Sequence, residues 1–262
     1  MLGGYAGKIL FVNLSKGSIS EEILPEQVCR EFVGGYGLGI RVLYEKIKAR
    51  VAPLGEENML GIVTGVLTAT SVPGSGRYGV VTKSPLTGAW SESNAGGTFG
   101  PELKTAGYDA IFFSGISPKP VYLLIREGKA ELRDASGLWG KDTYETEECI
   151  QSETGDNKLK VACIGPAGEA KSFLAGIVNE RGRIAARGGA GAVMGSKNLK
   201  AIAVRGGTHK VGIAHRDRLK ETQSRFLSII KASDFAKGLT AAGTGSALSF
   251  LVSIGDSPVK NW

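Results

Sequence analysis

Histidine and cysteine are scarce in this 262-residue chain, with two of the first and three of the second. Cys29, Cys149 and Cys163 are far apart and odd in number, so neither a disulfide framework nor a metal-binding CxxC pair is present. Free thiols fit a reducing, cytoplasmic setting. His209 and His215 lack HExxH or any similar spacing and read as surface residues without a role. There is no GxSxG nucleophile elbow and no GxxxxGK[ST] phosphate loop. Long apolar runs are missing too. The longest uncharged stretch, residues 58–76, is broken by Gly, Thr, Ser and Pro, whereas a membrane span needs roughly 20 mainly apolar residues. The first eight residues lack the basic and apolar regions of a secretory signal. No catalytic set is complete. Glu92, Glu102 and Asp109 stand alone and read as capping or surface groups at least as well as proton carriers, and Cys163, within an apolar strand, reads as a buried structural thiol.

What the chain does have is glycine: 39 residues, about twice the usual share. They follow no Gly-X-Y period, which excludes collagen and implies tight turns and close backbone approaches. The 42% hydrophobic content is that of an ordinary globular protein. A net charge of +7 suits an anionic ligand, a nucleic acid or an acidic partner. Nucleic acid is disfavoured, because no helix concentrates Lys and Arg and no aromatic-basic strand motif occurs.

Charge and glycine coincide at residues 181–198, which hold three arginines, five glycines and Lys197 with no acid among them. Guanidinium forks match phosphate oxygens, and glycines let a ligand approach the main chain. The stretch reads as a loop that holds a bulky anion. Two further Gly/Arg loops, residues 74–78 and 94–97, adjoin predicted strands, so one rim of the sheets could bring Arg77, Asn94, Arg183 and Arg187 together. The glycine run at 34–39 departs from the dinucleotide fingerprint in its offset and in following a helix, and reads as a helix-to-helix turn.

Residues 8–14 and 19–24 predict a β-hairpin with a polar turn at 15–18. Helices are predicted after Pro25 and after Gly39, the second turning Ile40, Val42, Leu43 and Ile47 inward. Strands are predicted at 59–67, 77–83, 89–93, 109–115, 121–125, 130–134, 159–164, 173–178 and 199–205. Helical patterns are predicted at 98–106 and 142–153, the second a solvated Glu-rich face. From Ala214 on, the pattern is helical at 217–231 and 245–254 with no strand between. Two domains follow: a β-rich one over 1–208 and the incomplete start of a helical one over 209–262.

Several longer segments carry a family resemblance. Gly76-Arg-Tyr-Gly-Val-Val-Thr-Lys-Ser-Pro-Leu-Thr-Gly88, Asn94-Ala-Gly-Gly97, Glu102-Leu-Lys-Thr-Ala-Gly-Tyr-Asp-Ala110, Ile164-Gly-Pro-Ala-Gly-Glu169 and Arg187-Gly-Gly-Ala-Gly-Ala-Val-Met-Gly-Ser-Lys-Asn-Leu-Lys-Ala201 look like the N-terminal domain of tungsten-containing aldehyde:ferredoxin oxidoreductases. Pro258-Val-Lys-Asn-Trp262 also resembles a family segment. The resemblance implies an α+β fold: two mixed β-sheets form a saddle-like base with flanking helices, followed by the start of an all-α domain. On the saddle a tungsten (or molybdenum) bis-pyranopterin cofactor would rest. Carried over by position, Arg77, Asn94, Ala95, Gly96 and Gly97 match one group of pterin contacts, and Arg183, Ile184, Ala186 and Arg187 the other. The main-chain carbonyls of Asn94 and Ile184 match those that hold a magnesium ion bridging the two pterin phosphates. Ala95 stands where the family commonly has serine, and Ala186 where it commonly has glycine.

The implied reaction is oxidation of an aldehyde to a carboxylic acid with electrons passed to ferredoxin. Family members run to more than twice this length, and their helical domains carry the cysteines of a [4Fe–4S] cluster, which this chain lacks. The expectation is therefore a truncated product, or one part of a split enzyme whose partner chain carries the helical domains and the cluster. No membrane or nucleic-acid partner is implied, and the resemblance leaves room for a homo-oligomer.

Overall fold

Four consecutive apolar residues, covered on both faces, fill β1 (Lys8–Asn13), and a polar turn returns the chain along β2 (Ser18–Ile23), an antiparallel hairpin as the spacing predicts. The computed structural model describes residues 2–207 and 209–257. Two short helices follow, α1 (Glu26–Phe32) and α2 (Tyr36–Lys46), joined by a turn at 33–35. Then come β3 (Leu60–Thr64), β4 (Tyr78–Lys83), β5 (Trp90–Ala95), α3 (Phe99–Thr105) and β6 (Ala110–Ser114). These strands make a mixed sheet of order β2-β1-β6-β3-β4-β5, in which only β1 and β6 run parallel.

A second mixed sheet has the order β11-β10-β9-β12-β7-β8. It is built from β7 (Val121–Arg126), β8 (Lys129–Asp134), β9 (Lys160–Cys163), β10 (Ile177–Asn179), β11 (Arg183–Ala185) and β12 (Leu199–Val204), with β12 and β7 its one parallel pair. Between these strands lie α4 (Thr143–Thr154), α5 (Pro166–Glu169) and α6 (Ala190–Ser196).

Period-2 side-chain alternation places apolar residues on both faces of the inner strands. On β6, Ile111 and Phe113 join the core shared by the two sheets, whereas Ala110 and Phe112 pack against α1 and α2. On β7, Leu123 and Ile125 face the shared core, while Tyr122 and Leu124 pack with Ile150 of α4. Phe99 and Leu103 of α3 and Val193 and Met194 of α6 fill the shared core, so these helices lie between the sheets. The layers therefore run α1/α2, first sheet, α3/α6, second sheet, α4. Strands covered on both sides read as continuous apolar runs, which is why 109–115 and 121–125 were legible.

Several expectations are corrected. Residues 181–198 are not one loop: they contain β11 and then α6, every residue of which is buried. The strand expected at 173–178 is confined to β10, and Phe173 and Leu174 are exposed in the turn before it. Ile40 points to solvent, and Leu38 takes the inward place on α2. The Glu-rich α4 is not simply solvated, since Thr146, Glu147 and Ile150 on it are buried. Its N-terminus is a capping box between Asp142 and Glu145. Asp109 is no surface acid. Its carboxylate is 2.7 Å from the Lys104 ammonium, both side chains are almost fully buried, and it accepts from the N–H groups of Ala6 and Gly7. His209 is half-buried, with an Nε2 that is buried and without a partner among the described residues. Cys163 is the buried thiol expected; burial pushes its pKa up to about 12.

Lys197 leaves the anion-holding set altogether. It is fully buried after α6 and donates to the carbonyls of Asn58 (2.5 Å) and Gly115 (3.1 Å), which stitches the second sheet's segment to the first. Burial pulls its pKa from 10.5 down to about 8. Below that pH both folded and unfolded chains hold the proton; between about 8 and 10.5 only the unfolded chain does, so stability rises with pH in that window. The variant Lys197→Met lacks this term. The native chain is expected to gain on it by about 3 kcal/mol between pH 8 and 10.5 in paired urea titrations. A difference that stays flat with pH would refute the assignment.

The chain divides into two units, Met1–Ala214 and His215–Trp262. The second comprises α7 (Arg216–Ala232), α8 (Asp234–Ala242), a 3-10 turn (Thr244–Ala247) and α9 (Leu248–Ser253). Helix α8, capped by Ser233, was not anticipated. The resemblance at 258–262 lies outside the described residues. No helix among the described residues is long and apolar enough to cross a membrane.

Candidate functional site

The candidate site forms where edges of the two sheets meet. β5 is the last strand of the first sheet and β11 the first of the second, and the two lie side by side. Polar contacts stitch them. The Arg187 N–H donates to Ser93 Oγ at 3.0 Å, and Ser84 Oγ donates to the Gly188 carbonyl at 2.8 Å. Deeper down, the buried Tyr78 hydroxyl donates to Asn179 Oδ1 at 3.0 Å, and Asn179 Nδ2 donates to the Gly96 carbonyl at 3.1 Å. This network ties the end of β5 to the end of β10.

Arg77, at the start of β4, and Arg183, at the start of β11, come from different sheets and bracket the same backbone. A Cβ added to Gly96 would lie 3.4 Å from Arg183 Nη1 and 3.7 Å from Arg77 Nη1. Arg77 Nε donates to Asn94 Oδ1 at 2.7 Å, a neutral partner. Arg183 and Arg187 are exposed and make no ion pair or side-chain hydrogen bond among the described residues. Arg181 differs: it pairs with Glu148 of α4. None of the guanidinium groups of Arg77, Arg183 and Arg187 has a carboxylate partner among the described residues, and those of Arg77 and Arg183 come together at Gly96.

The acid beside Gly97 is already engaged. Glu180 accepts from the Thr98 N–H (2.6 Å), the Thr98 hydroxyl (2.7 Å) and Asn179 Nδ2 (3.0 Å), so its carboxylate secures the turn after Gly97. Gly97 has a φ of +95°, and a Cβ there would run into that carboxylate and lie 2.8 Å from Arg183 Cδ. Only glycine fits between them. The sequence reading missed Glu180, Asn179 and Thr98; a lone Asn-Glu pair carries no motif.

Of the residues carried over from the family, Arg77, Asn94, Arg183, Ile184, Ala186 and Arg187 are exposed, and Gly96 and Gly97 are half-buried, all at this junction. Ala95 is buried, its methyl in the shared core, so only its main chain faces the junction. Asn94 pairs with Gly79 across the first sheet, and Ile184 with Val178 across the second. Two open clefts flank Arg77. One of about 420 Å³ is lined by Gly34, Val66, Leu67, Pro73 and Ser75, and one of about 250 Å³ by Gly35, Tyr36, Val63 and Asn94. Of the lone acids, Glu92 is exposed, and Glu102 accepts from the Gly206 N–H at 2.5 Å with Arg205 at 3.6 Å. Such an arrangement of donors is suited to an anion with several oxygens.

Comparison with known proteins identifies the family. Residues 9–206 match the family described as aldehyde ferredoxin oxidoreductase, N-terminal domain. The chain is 46% identical over 261 residues to the tungsten-containing aldehyde ferredoxin oxidoreductase of Pyrococcus abyssi, covering 99% of this chain and 43% of that protein. It is 35% identical over 274 residues to the WOR-like subunit of an aliphatic sulfonate oxidoreductase from Pyrococcus furiosus, covering 98% and 43%. Among solved structures it is similar to a chain of the active site complex BamBC of benzoyl coenzyme A reductase bound to 1,5-dienoyl-CoA. That match has a TM-score of 0.86 and 41% identity, and covers 88% of this chain and 35% of that one. The chain thus spans less than half the length of the curated relatives it matches. With a family match over most of its length and both sheets in place, the chain belongs to the aldehyde ferredoxin oxidoreductase N-terminal domain family.

Proposed function

We propose that this chain is the cofactor-holding part of an aldehyde:ferredoxin oxidoreductase, a cytoplasmic enzyme built around a tungsten or molybdenum bis-pyranopterin. The observation that carries the reading is the approach of Arg77 and Arg183, one from each sheet, to the backbone at Gly96. A cofactor with two phosphate arms calls for such a two-sided site. Guanidinium groups bind phosphate bidentately, and those of Arg77, Arg183 and Arg187 make no ion pair among the described residues. When bound, the metal–pterin group would supply the two-electron chemistry that turns aldehyde and water into carboxylate.

The chain's own part is binding and orientation. Arg77 and Arg183 would clamp the phosphates, and the half-buried backbone at Gly96 and Gly97 would let them approach the main chain. The main-chain carbonyls of Asn94 and Ile184 would hold a magnesium ion, a hard cation that takes oxygen ligands. Among the described residues no cluster of three His, Cys, Asp or Glu side chains is arranged to hold a metal. The ligands of a [4Fe–4S] cluster, and with them the route to ferredoxin, would then come from polypeptide outside these 262 residues. The relatives' names span an aldehyde, a sulfonate and a coenzyme A thioester. Substrate choice would accordingly lie outside the matched half.

Elemental analysis of the anaerobically purified chain, with fluorescence of the oxidised pterin, tests this. Tungsten or molybdenum with pterin and without iron is expected. A chain without metal and pterin, from cells that make the cofactor, would count against it. Aldehyde-dependent viologen reduction, alone and with a partner carrying the cysteine cluster, then separates an enzyme part from a non-catalytic pterin-binding scaffold.

A further inference from the structure

The glycine run at 34–39, set aside above as a turn, delivers a side chain to the site. Gly35 caps α2, whose first residue is Tyr36, and the Tyr36 ring lies flat against β4 at Gly79. A Cβ on Gly79 would come within 2.6 Å of Tyr36 Cε1, so a larger residue there would push the ring away. From that seat the hydroxyl accepts from Asn94 Nδ2 at 2.7 Å and donates to the Ser93 carbonyl at 3.3 Å. Asn94 Oδ1 in turn accepts from Arg77 Nε at 2.7 Å. The chain of bonds has one consistent direction: guanidinium to amide oxygen, amide nitrogen to hydroxyl, hydroxyl to carbonyl. Burial raises the Tyr36 pKa, which keeps the hydroxyl proton in place.

The consequence falls on Arg77. Its Nε is spent on Asn94, while its Nη1 is left near Gly96, where Arg183 arrives from the other sheet. The bond at Nε restrains the exposed Arg77 side chain, so its terminal nitrogens meet the ligand with a smaller loss of side-chain freedom. We propose that Tyr36 is a positioning residue of the anion site, fixing the Arg77 guanidinium through Asn94 for a phosphate group. This rests on the reading of the junction as a phosphate site.

The test uses inorganic pyrophosphate as the probe, titrated calorimetrically into the native chain, Tyr36→Phe, Arg77→Ala and the double variant. Phenylalanine keeps the ring against Gly79 and removes only the hydroxyl. In the native background Tyr36→Phe is expected to weaken pyrophosphate binding about 3- to 10-fold, the range of one net hydrogen bond. In the Arg77→Ala background the same change is expected to do nothing further, because its route to the ligand is gone. A general loosening of the fold would weaken both backgrounds alike, and that result overturns the proposal. An unchanged affinity in Tyr36→Phe with a clear loss in Arg77→Ala overturns the role of Tyr36 and leaves the phosphate site standing. No binding by the native chain, or none lost in Arg77→Ala, overturns both.

Discussion

Arg77→Ala and Arg183→Ala are each expected to lower the tungsten or molybdenum and pterin content of the anaerobically purified chain about tenfold or more, with the fold unchanged. Both side chains stand at the junction, and neither makes an ion pair that folding would miss. A charge-assisted hydrogen bond to phosphate contributes about 1.5–3 kcal/mol, so the loss of one arginine corresponds to roughly a 10- to 100-fold weaker site. Arg77→Lys keeps the charge and loses the fork and its Nε anchor on Asn94, and should recover only part of the binding. Arg181→Ala is the control. That arginine is two residues from Arg183 and equally prominent in the sequence, but it is paired with Glu148 on α4. Its removal is expected to leave metal and pterin content unchanged. Equal losses in Arg181→Ala and Arg183→Ala would mean that bulk positive charge, not the geometry at Gly96, holds the ligand.

The largest loss of stability is expected from Asp109→Asn. Lys104 and Asp109 sit 2.7 Å apart with side chains 1% and 2% exposed, and Lys104 also donates to the Gly65 carbonyl at 2.9 Å. Removing one charge of a buried pair strands the other, at a cost of about 3–5 kcal/mol. Desolvation already lowers the Lys104 pKa, and Asp109 is what opposes it. Without that carboxylate the lysine is expected to shed its proton in the folded state at still lower pH. The folded chain then binds fewer protons than the unfolded one, so the variant's stability rises with pH up to the unfolded lysine value. Urea titrations should therefore show a deficit that is greatest near neutral pH and smaller towards pH 10. Replacing both residues with apolar ones, Lys104→Met with Asp109→Leu, should cost less than Asp109→Asn alone. Against this, the Ala6 and Gly7 N–H groups would lose their acceptor. A deficit below about 1 kcal/mol would show that the pair is solvated in the working protein.

The strengths and failures of the sequence reading follow from range. The hairpin at 8–24 and the apolar strands were legible because their signal is local: a polar turn, or a short run covered on both faces. The segment 181–198 misled because its glycines and alanines have no apolar period. The same composition serves a short strand at Arg183–Ala185 and a fully buried helix at Ala190–Ser196. Lys197 read as part of an anion-holding loop because nothing near it in sequence announces the carbonyls of Asn58 and Gly115, 139 and 82 residues away. Asp109 read as a surface acid for the same reason. Its N–H donors at Ala6 and Gly7 are more than 100 residues distant.

By itself the sequence determined that the chain folds as α+β, that it resembles the aldehyde:ferredoxin oxidoreductase N-terminal domain, and that its arginines and glycines suit an anion. Those properties reside in residue type and local spacing, which the chain carries before it folds. The tertiary structure decided which arginine is free and which is paired, that Lys197 is buried, and that Tyr36 reaches Asn94. Each of these depends on the β5 and β11 edges meeting or on a contact between residues distant in the chain. Side chains of one type become ligand, counter-ion or core only when the folded neighbours around them set the charge and the space.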